Sequence, residues 1–387
     1  MPASPPISPP TRDRSRFRTI DGLRGIAAAA VAVFHVNLAI SRSAPNWIPG
    51  WLSAVAQQGG YGVEIFFVIS GFVIAYSVRN GEYSGRYLAR FALRRSIRLD
   101  PLYWFAIAVE LVLIVVSAAL FSNTTPFPST AKILSHLIYA QEILGYGGIL
   151  SVFWTLTFEI QFYLLFVGLL VLWKKSEGFA PDSVRRGGAV AILCALFASS
   201  IVLRYSEWHL VVPGIALLRW FQFFLGVLTW WVVSERAPLW NLLLAYGAVL
   251  IGLVVYHATP LQTLPLFVSA FIVVVARRNA FDRVLSARPL QFLGTISYSL
   301  YLLHGPIAER WISLFERLLG ASFGIGWAWI AFVTATAITV TFSWLAWRFV
   351  EAPTMRLSKR VRLPTRAPAL TLVTDDSTSV VAAASAG

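Results

Sequence analysis

Long apolar runs are the feature that most limits what this chain can fold into. A helix needs about 20 mostly apolar residues to cross the roughly 30 Å hydrocarbon core of a membrane. Of the 387 residues 57% are hydrophobic and 13% are charged, whereas a soluble domain carries about 25% charged residues. The sequence therefore predicts an all-α integral membrane protein with about ten transmembrane helices in one bundle. The predicted helices are 22–40, 61–78, 98–121, 153–173, 187–204, 211–233, 239–257, 261–276, 291–309 and 323–347.

The formal net charge of +14 is distributed over short basic segments between the apolar runs. If the N-terminus is inside, the inside segments contain 25 of the 32 Lys and Arg residues and the outside loops contain five. The positive-inside rule then predicts that both termini are cytoplasmic and that the lipid bilayer is the main partner. No extended basic face with interleaved aromatic residues is visible, so we expect no nucleic acid partner.

The chain divides into three predicted regions. Residues 1–16 are too rich in proline for a helix and predict a retained, disordered N-terminal tail. Residues 17–353 form the membrane domain, and 354–387 predict a disordered tail that is first basic and then rich in Ala and Ser. The single cysteine, Cys194, excludes a disulfide framework and a thiolate metal cluster, and no metal site is predicted.

Two ionisable residues in the first apolar run share one face of the predicted helix. Arg24 lies near the inner surface and His35 follows eleven residues later. At about 100° per residue, eleven steps return to within roughly 20° of the starting direction. Charged and ionisable groups inside a bilayer are costly and are functional candidates by default. Arg24 and His35 are therefore candidate functional residues on the same face of the first helix.

A carboxylate in the fourth run has a predicted depth similar to that of His35. Glu159 lies about six residues from the outer end of its helix, and His35 lies roughly 20 Å from the inner surface. A His–Glu pair would let the carboxylate orient the imidazole and stabilise the imidazolium that forms on proton uptake. A buried structural hydrogen bond is the alternative. The arginine on the same face as His35 favours a catalytic pair of His35 and Glu159.

Three arginines precede the third apolar run. Arg95 and Arg98 are spaced i,i+3 and face the same way, with Arg94 beside them. Because the guanidinium fork matches phosphate geometry, Arg95 and Arg98 are candidates for binding a phosphorylated donor. The alternative is that the positive-inside rule alone accounts for these arginines.

The ninth run adds three secondary candidates. Tyr298, Tyr301 and His304 are spaced three residues apart. Tyrosine rings can also fill a core while their hydroxyl groups form hydrogen bonds. His304 is predicted to be either a second base or acceptor-binding group, or a structural residue.

Other polar positions in the runs give weaker signals. Glu64 lies near the outer surface, where it would line a pore or sit at the interface. Ser70 and Gly71 are small residues at mid-depth and predict close helix packing. Glu110 is an intramembrane acid with Arg219 as its candidate partner.

Six motifs in order along the chain, from Phe17 to Pro353, resemble the acyltransferase family 3 membrane proteins, which modify bacterial surface sugars and some macrolides. One departure is Thr155, where the family pattern suggests serine. The motifs are IDGLRGIA with the Arg24-to-His35 spacing, EIFFVISGF at 64–72, Arg95 and Arg98 followed by Pro101 and Tyr103, WTLTFEIQFY at 154–163, SYSLYLLHGP at 297–306 and WRFVEAP at 347–353.

The resemblance implies a multi-pass enzyme of the bacterial cytoplasmic (inner) membrane. It implies that acyl-CoA, foremost acetyl-CoA, binds from the cytoplasm as a substrate at Arg24, Arg95 and Arg98, with no tightly bound cofactor. In the hypothesis it suggests, His35 deprotonates an acceptor hydroxyl group, supported by Glu159, and the alkoxide attacks the thioester. A covalent acyl-enzyme relay remains an alternative.

Alternatives remain for the acceptor and for the class of protein. The two longest outside loops, 41–60 and 122–152, could form a mouth for an external substrate. This favours a sugar in an exported or lipid-linked polysaccharide over a macrolide or another small molecule. A transporter or flippase of a polysaccharide pathway also has buried charges, but no repeat is visible in the sequence. A scaffold subunit of a polysaccharide machine is the third possibility.

Overall fold

The computed structural model describes residues 17–121, 126–206, 214–320 and 323–365. The predicted tail 1–16 and residues 366–387 lie outside the described residues. Throughout the described ranges the regular structure is helical and no β-strand forms. Eight helical stretches are long and apolar enough to cross a membrane, and Leu239–Val255 is a shorter apolar helix. The predicted all-α membrane bundle is confirmed.

Fourteen α-helices make up the described chain, and short 3-10 turns lead into three of them. Their bounds are as follows: α1 Arg18–Ser43, α2 Gly50–Gln57, α3 Gly62–Val78, α4 Gly85–Phe121, α5 Thr130–Leu137, α6 Trp154–Lys175, α7 Asp182–Tyr205, α8 Trp220–Val233, α9 Leu239–Val255, α10 Leu264–Arg277, α11 Arg288–Thr295, α12 Ser297–Leu319, α13 Ile325–Ala346 and α14 Ala352–Ser358.

Every predicted run contains a helix, but two helices extend well beyond their predicted bounds. Helix α4 begins at Gly85 instead of residue 98, so the arginines that precede the apolar run are already helical. Helix α12 continues to Leu319 instead of ending at 309. Its second half is charged, which lowers its hydropathy and explains why it is absent from the apolar spans. The short helices α2, α5 and α14 were not predicted.

Helices α3 and α8 pack closely because each carries a glycine at the contact. A Cβ atom on Gly71 would lie 1.8 Å from the carbonyl oxygen of Phe223. A Cβ atom on Gly226 would lie 2.0 Å from the carbonyl oxygen of Val68. Neither position has room for a side chain, so small residues set this helix–helix distance. The predicted packing role of Gly71 is confirmed.

Helix α12 is tied to the first and fourth helices by polar contacts. Ser43 Oγ donates to Glu316 Oε1 at 2.8 Å and so joins α1 to α12. Arg310 Nη2 donates to Glu110 Oε1 at 2.9 Å and joins α12 to α4. The predicted pairing of Glu110 with Arg219 is therefore wrong, because the charged part of α12 lies alongside α4.

Two segments outside the spanning helices also pack onto the bundle. The Nε2 atom of His136 accepts from the Ile149 N–H at 2.9 Å, while Nδ1 lies 2.8 Å from the Lys132 carbonyl oxygen. Burial lowers the pKa of His136, so this ring acts as a neutral link within its loop. The second segment follows α14: the Glu82 N–H, between α3 and α4, donates to the Pro364 carbonyl at 3.1 Å. The described part of the predicted tail, 354–365, is therefore folded, with α14 continuing to Ser358.

Candidate active site

A pocket opens between helices α1, α3, α4, α6 and α12, and it includes about 820 Å³ of empty space with its mouth. It brings together six of the nine predicted site residues, while His35, His304 and Glu64 lie outside its lining. The six are Arg24, Arg95, Arg98, Glu159, Tyr298 and Tyr301.

Three arginines from two helices share this pocket. Arg24 comes from α1, and Arg95 and Arg98 come from α4, where the i,i+3 spacing places both on one face. The Arg95 guanidinium lies over the ring of Tyr163 at 4.8 Å. Within the described chain, no carboxylate lies within 4.0 Å of any of the three guanidinium groups. Their charges are therefore available to a bound anion.

Glu351 provides a more distant negative charge at the same pocket. It ends a single π-helical turn, Trp347–Glu351, between α13 and α14. Ser299 Oγ donates to Glu351 Oε2 at 2.6 Å, and the carboxylate also interacts electrostatically with Arg24 and Arg98. Such π turns often mark functional sites. Sequence reasoning included this residue in a motif but did not predict it as a site residue.

Glu159 faces the arginine pocket. Its Oε1 atom accepts a hydrogen bond from Ser70 Oγ at 2.9 Å and another from the Tyr163 hydroxyl. Ser70 lies on α3 and lines the pocket, so it holds the carboxylate in place in addition to its predicted role in helix packing. Both partners lie inside the two motifs quoted for helices α3 and α6. Tyr163 is at i+4 from Glu159 on the same helix, so spacing could reveal that contact, whereas the contact with Ser70 joins two helices and could not be found in this way.

The two tyrosines of α12 line the pocket with their hydroxyl groups bound. The Tyr298 hydroxyl donates to the Leu99 carbonyl at 3.0 Å. The Tyr301 hydroxyl lies 2.9 Å from Thr155 Oγ1. A serine at position 155 would offer the same hydroxyl group, so the departure from the family pattern preserves this contact. Both rings line the pocket, and these contacts orient their hydroxyl groups.

His35 lies beyond the pocket, roughly 16 Å further along α1 than Arg24 at about 1.5 Å per residue. Its ring centroid is 4.9 Å from that of His304 and 4.9 Å from that of Phe34. The only carboxylate within 4.0 Å among the described residues is Glu309, whose Oε1 lies 4.0 Å from His35 Nδ1. The predicted pair of His35 and Glu159 is therefore wrong. Equal depth in a bundle does not place two side chains on facing sides of their helices.

His304 connects the pocket wall to His35. Its Nδ1 lies 3.1 Å from the Leu300 carbonyl oxygen, and this contact places the proton of a neutral ring on Nδ1. The ring is fully buried, and its Nε2 finds no hydrogen-bond partner in the described part of the chain. Its centroid lies 6.0 Å from that of Tyr301. The side chains thus run from the pocket through Tyr301 and His304 to His35.

Glu64 belongs to a separate polar contact between α3 and the start of α8. Its Oε1 lies 3.3 Å from Arg219 Nη1, and its Oε2 accepts from Gln222 Nε2 at 2.6 Å. The Arg219 guanidinium also lies over the ring of Trp154 at 5.3 Å. Glu64 is buried and carries the counter-charge of Arg219. It therefore has neither of its two predicted positions, lining a pore or lying at the membrane interface.

The comparisons with known proteins agree on one family. A family described as an acyltransferase domain matches residues 17–348. Nodulation protein 10 of Rhizobium leguminosarum bv. viciae is 27% identical over 331 residues, which cover 76% of this chain and 82% of that protein. Acyltransferase MdmB of Streptomyces mycarofaciens is 26% identical over 392 residues, covering 91% and 95%.

A third relative is longer than this chain. Peptidoglycan O-acetyltransferase OatA of Listeria monocytogenes is 25% identical over 88% of this chain, which spans 56% of that protein. No solved structure matches the chain. The family match covers the helices that form the pocket and the histidine pair, and it supports an enzyme over the transporter and scaffold alternatives. The chain therefore belongs to the acyltransferase 3 family and is a membrane-bound O-acyltransferase.

Proposed function

We propose that this enzyme transfers an acyl group, foremost acetyl, from cytoplasmic acyl-CoA to a hydroxyl group of a sugar in an exported or lipid-linked polysaccharide. The observation that carries the proposal is the group of three arginines without an ion-pair partner among the described residues. Coenzyme A carries several phosphate oxygens at one end and a thioester at the end of a flexible arm. Its chemistry fits a cationic pocket that leads into the bundle.

Arg24, Arg95 and Arg98 bind the phosphates in this proposal. Arginine forks form paired, charge-assisted hydrogen bonds with phosphate oxygens. The arm then enters the pocket between α3 and α6, where Glu159 can accept an amide N–H from it. This role replaces the one that the sequence suggested for Glu159, since its carboxylate lies in the arginine pocket.

His35 is the proposed general base. It takes the proton of the acceptor hydroxyl, and the hydroxyl oxygen forms the new ester bond with the acyl carbon while the carbon–sulfur bond breaks. Coenzyme A leaves as a thiolate, which receives the proton from the imidazolium. The thioester must pass Tyr301 and His304 to reach His35, because these side chains lie between the pocket and the base.

A relative that is named for its reaction supports the proposed acceptor. OatA is named as a peptidoglycan O-acetyltransferase, and peptidoglycan is a sugar polymer outside the cytoplasmic membrane. An acceptor on the far side of the membrane would meet His35 from the side opposite the arginine pocket. This direction agrees with the predicted cytoplasmic position of both termini.

Radiolabelled acetyl-CoA tests the proposal in two steps. Purified protein in detergent should release free coenzyme A and transfer label to water or an added glycan, without retaining label on the protein. In sealed vesicles acetyl-CoA does not cross the bilayer, so turnover should require an exposed cytoplasmic face. Comparing glycan acetylation between a deletion strain and its parent by mass spectrometry identifies the acceptor. No turnover by folded protein, or turnover only from the opposite face, would contradict the proposal.

A further inference from the structure

Glu309 is the carboxylate that lies beside His35. Its Oε1 atom is 4.0 Å from His35 Nδ1, and the two side chains are 40% and 16% exposed. We propose that Glu309 is the positioning residue that orients the His35 imidazole for proton uptake. This inference rests on the proposed function, in which His35 is the general base, and it adds a residue that no sequence motif indicated.

The contact between His35 Nδ1 and Glu309 determines whether His35 Nε2 can accept a proton. A neutral histidine carries one ring proton, and a carboxylate beside Nδ1 favours the tautomer with the proton on Nδ1. The Nε2 lone pair is then free to accept a proton from a hydroxyl group, as in a catalytic triad. The observed 4.0 Å is longer than a direct hydrogen bond. Such contacts are often long before substrate binds, and one water can bridge them.

The surrounding charges leave Glu309 available for this role. Arg42 and Arg310 act electrostatically on Glu309, but in the described structure neither lies within 4.0 Å of its carboxylate. Arg310 instead forms its ion pair with Glu110 at 2.9 Å. Glu110 therefore neutralises the arginine next to Glu309 in sequence, and His35 is the basic group closest to Glu309.

Ring contacts limit how the imidazole can turn away from Glu309. Phe34 and His304 each have their ring centroid 4.9 Å from that of His35. When Nε2 takes the hydroxyl proton, the new positive charge lies next to the Glu309 carboxylate, which stabilises it until the proton passes to the coenzyme A thiolate. Glu309 itself neither gains nor loses a proton in this cycle.

Substitutions at Glu309, with Glu316 as a matched control, test the role. Glu316 lies on the same helix and also contacts α1, through Ser43. Full-length proteins in detergent are assayed for coenzyme A release from acetyl-CoA, with kcat and KM measured separately. We expect Glu309→Gln to lower kcat at least tenfold while KM changes less than twofold. Glu309→Asp, which keeps the charge, should recover part of kcat, and Glu316→Gln should match the wild type.

Three outcomes would overturn the role of Glu309. The first is a kcat of Glu309→Gln within twofold of the wild type. The second is an equal loss in Glu316→Gln, which would show that any polar bridge between α1 and α12 matters equally. The third is a folded Glu309→Asp variant whose kcat is no higher than that of Glu309→Gln. If Glu309→Gln does not fold, the kcat of Glu309→Asp is compared with that of His35→Ala instead, and a kcat that is no higher has the same meaning. A wild type without turnover would refute the proposed function itself, and the role of Glu309 with it.

Discussion

Replacing Arg98 by glutamine should weaken coenzyme A binding about tenfold. A hydrogen bond to a charged group contributes about 1.5–3 kcal/mol, which corresponds to roughly 10- to 150-fold in the dissociation constant. Arg95 and Arg24 repel Arg98 electrostatically, so its removal also stabilises the empty pocket and offsets part of the loss. The expected change therefore lies near the lower limit. Glutamine keeps a polar side chain, and it removes the charge and the guanidinium fork.

Isothermal titration of coenzyme A into detergent-solubilised protein measures this change. Arg94→Gln is the matched control, because Arg94 precedes Arg95 on the same helix and is absent from the pocket lining. The control should bind coenzyme A within about twofold of the wild type. Unchanged affinity in Arg98→Gln would refute the phosphate role. Equal weakening in both variants would assign the effect to the general surface charge that the positive-inside rule requires.

The remaining predictions concern the base, the pocket carboxylate and helix packing. His35→Ala should lower turnover of acetyl-CoA at least 100-fold with unchanged coenzyme A affinity by titration, because the arginines are distant; full activity would contradict the mechanism. Glu159→Gln should raise KM for acetyl-CoA several-fold and change kcat less than His35→Ala does; a collapse of kcat at constant KM would assign Glu159 to the chemical step. Gly71→Ala should destabilise the protein by about 1–3 kcal/mol, seen as a lower midpoint temperature in a thermal aggregation assay, because a Cβ atom has no room there. Gly168→Ala on α6, with no atom within 4 Å of its Cβ position, should not destabilise it, and equal losses would refute the packing argument.

The arginine pocket could be predicted partly from local geometry and partly from the family resemblance. Arg95 and Arg98 lie three residues apart on one helix, and this spacing determines that they face the same way. Burial cost marked Arg24 as a functional candidate, but only the family resemblance placed it at the same donor site as Arg95 and Arg98. The structure places all three in one pocket. Spacing along one helix thus determined that Arg95 and Arg98 face the same way, and the resemblance supplied the shared site with Arg24.

The partner of His35 could not be predicted from depth. Apolar runs give the position of Glu159 and His35 along the membrane normal, but they do not give the rotation of each helix about its axis. Glu159 turns toward Ser70 and Tyr163 instead. Rotation depends on packing against several neighbouring helices, and this information is not present in any single run.

Glu309 was missed for a different reason. The apolar run of α12 ends where Glu309 and Arg310 begin, so hydropathy ended the predicted helix at 309. The structural helix continues ten residues further, to Leu319. The continuation is stable inside the bundle because Glu110 on α4 pairs with Arg310. The Glu110 carboxylate on α4 thus allows α12 to carry Arg310 inside the bundle. Hydropathy could not show this, because it considers each helix alone.

The contact between α1 and α12 also determines when the enzyme becomes active during synthesis. Ser43 and Glu316 are 273 residues apart in sequence. At about 5–20 residues per second, a ribosome needs roughly 15–55 s to synthesise the intervening chain. Throughout that interval α1 is already in the membrane without the helix that contributes His304 and Glu309. A product truncated before α12 would lack His304 and Glu309, so the proposed reaction centre is complete only after α12 has been translated.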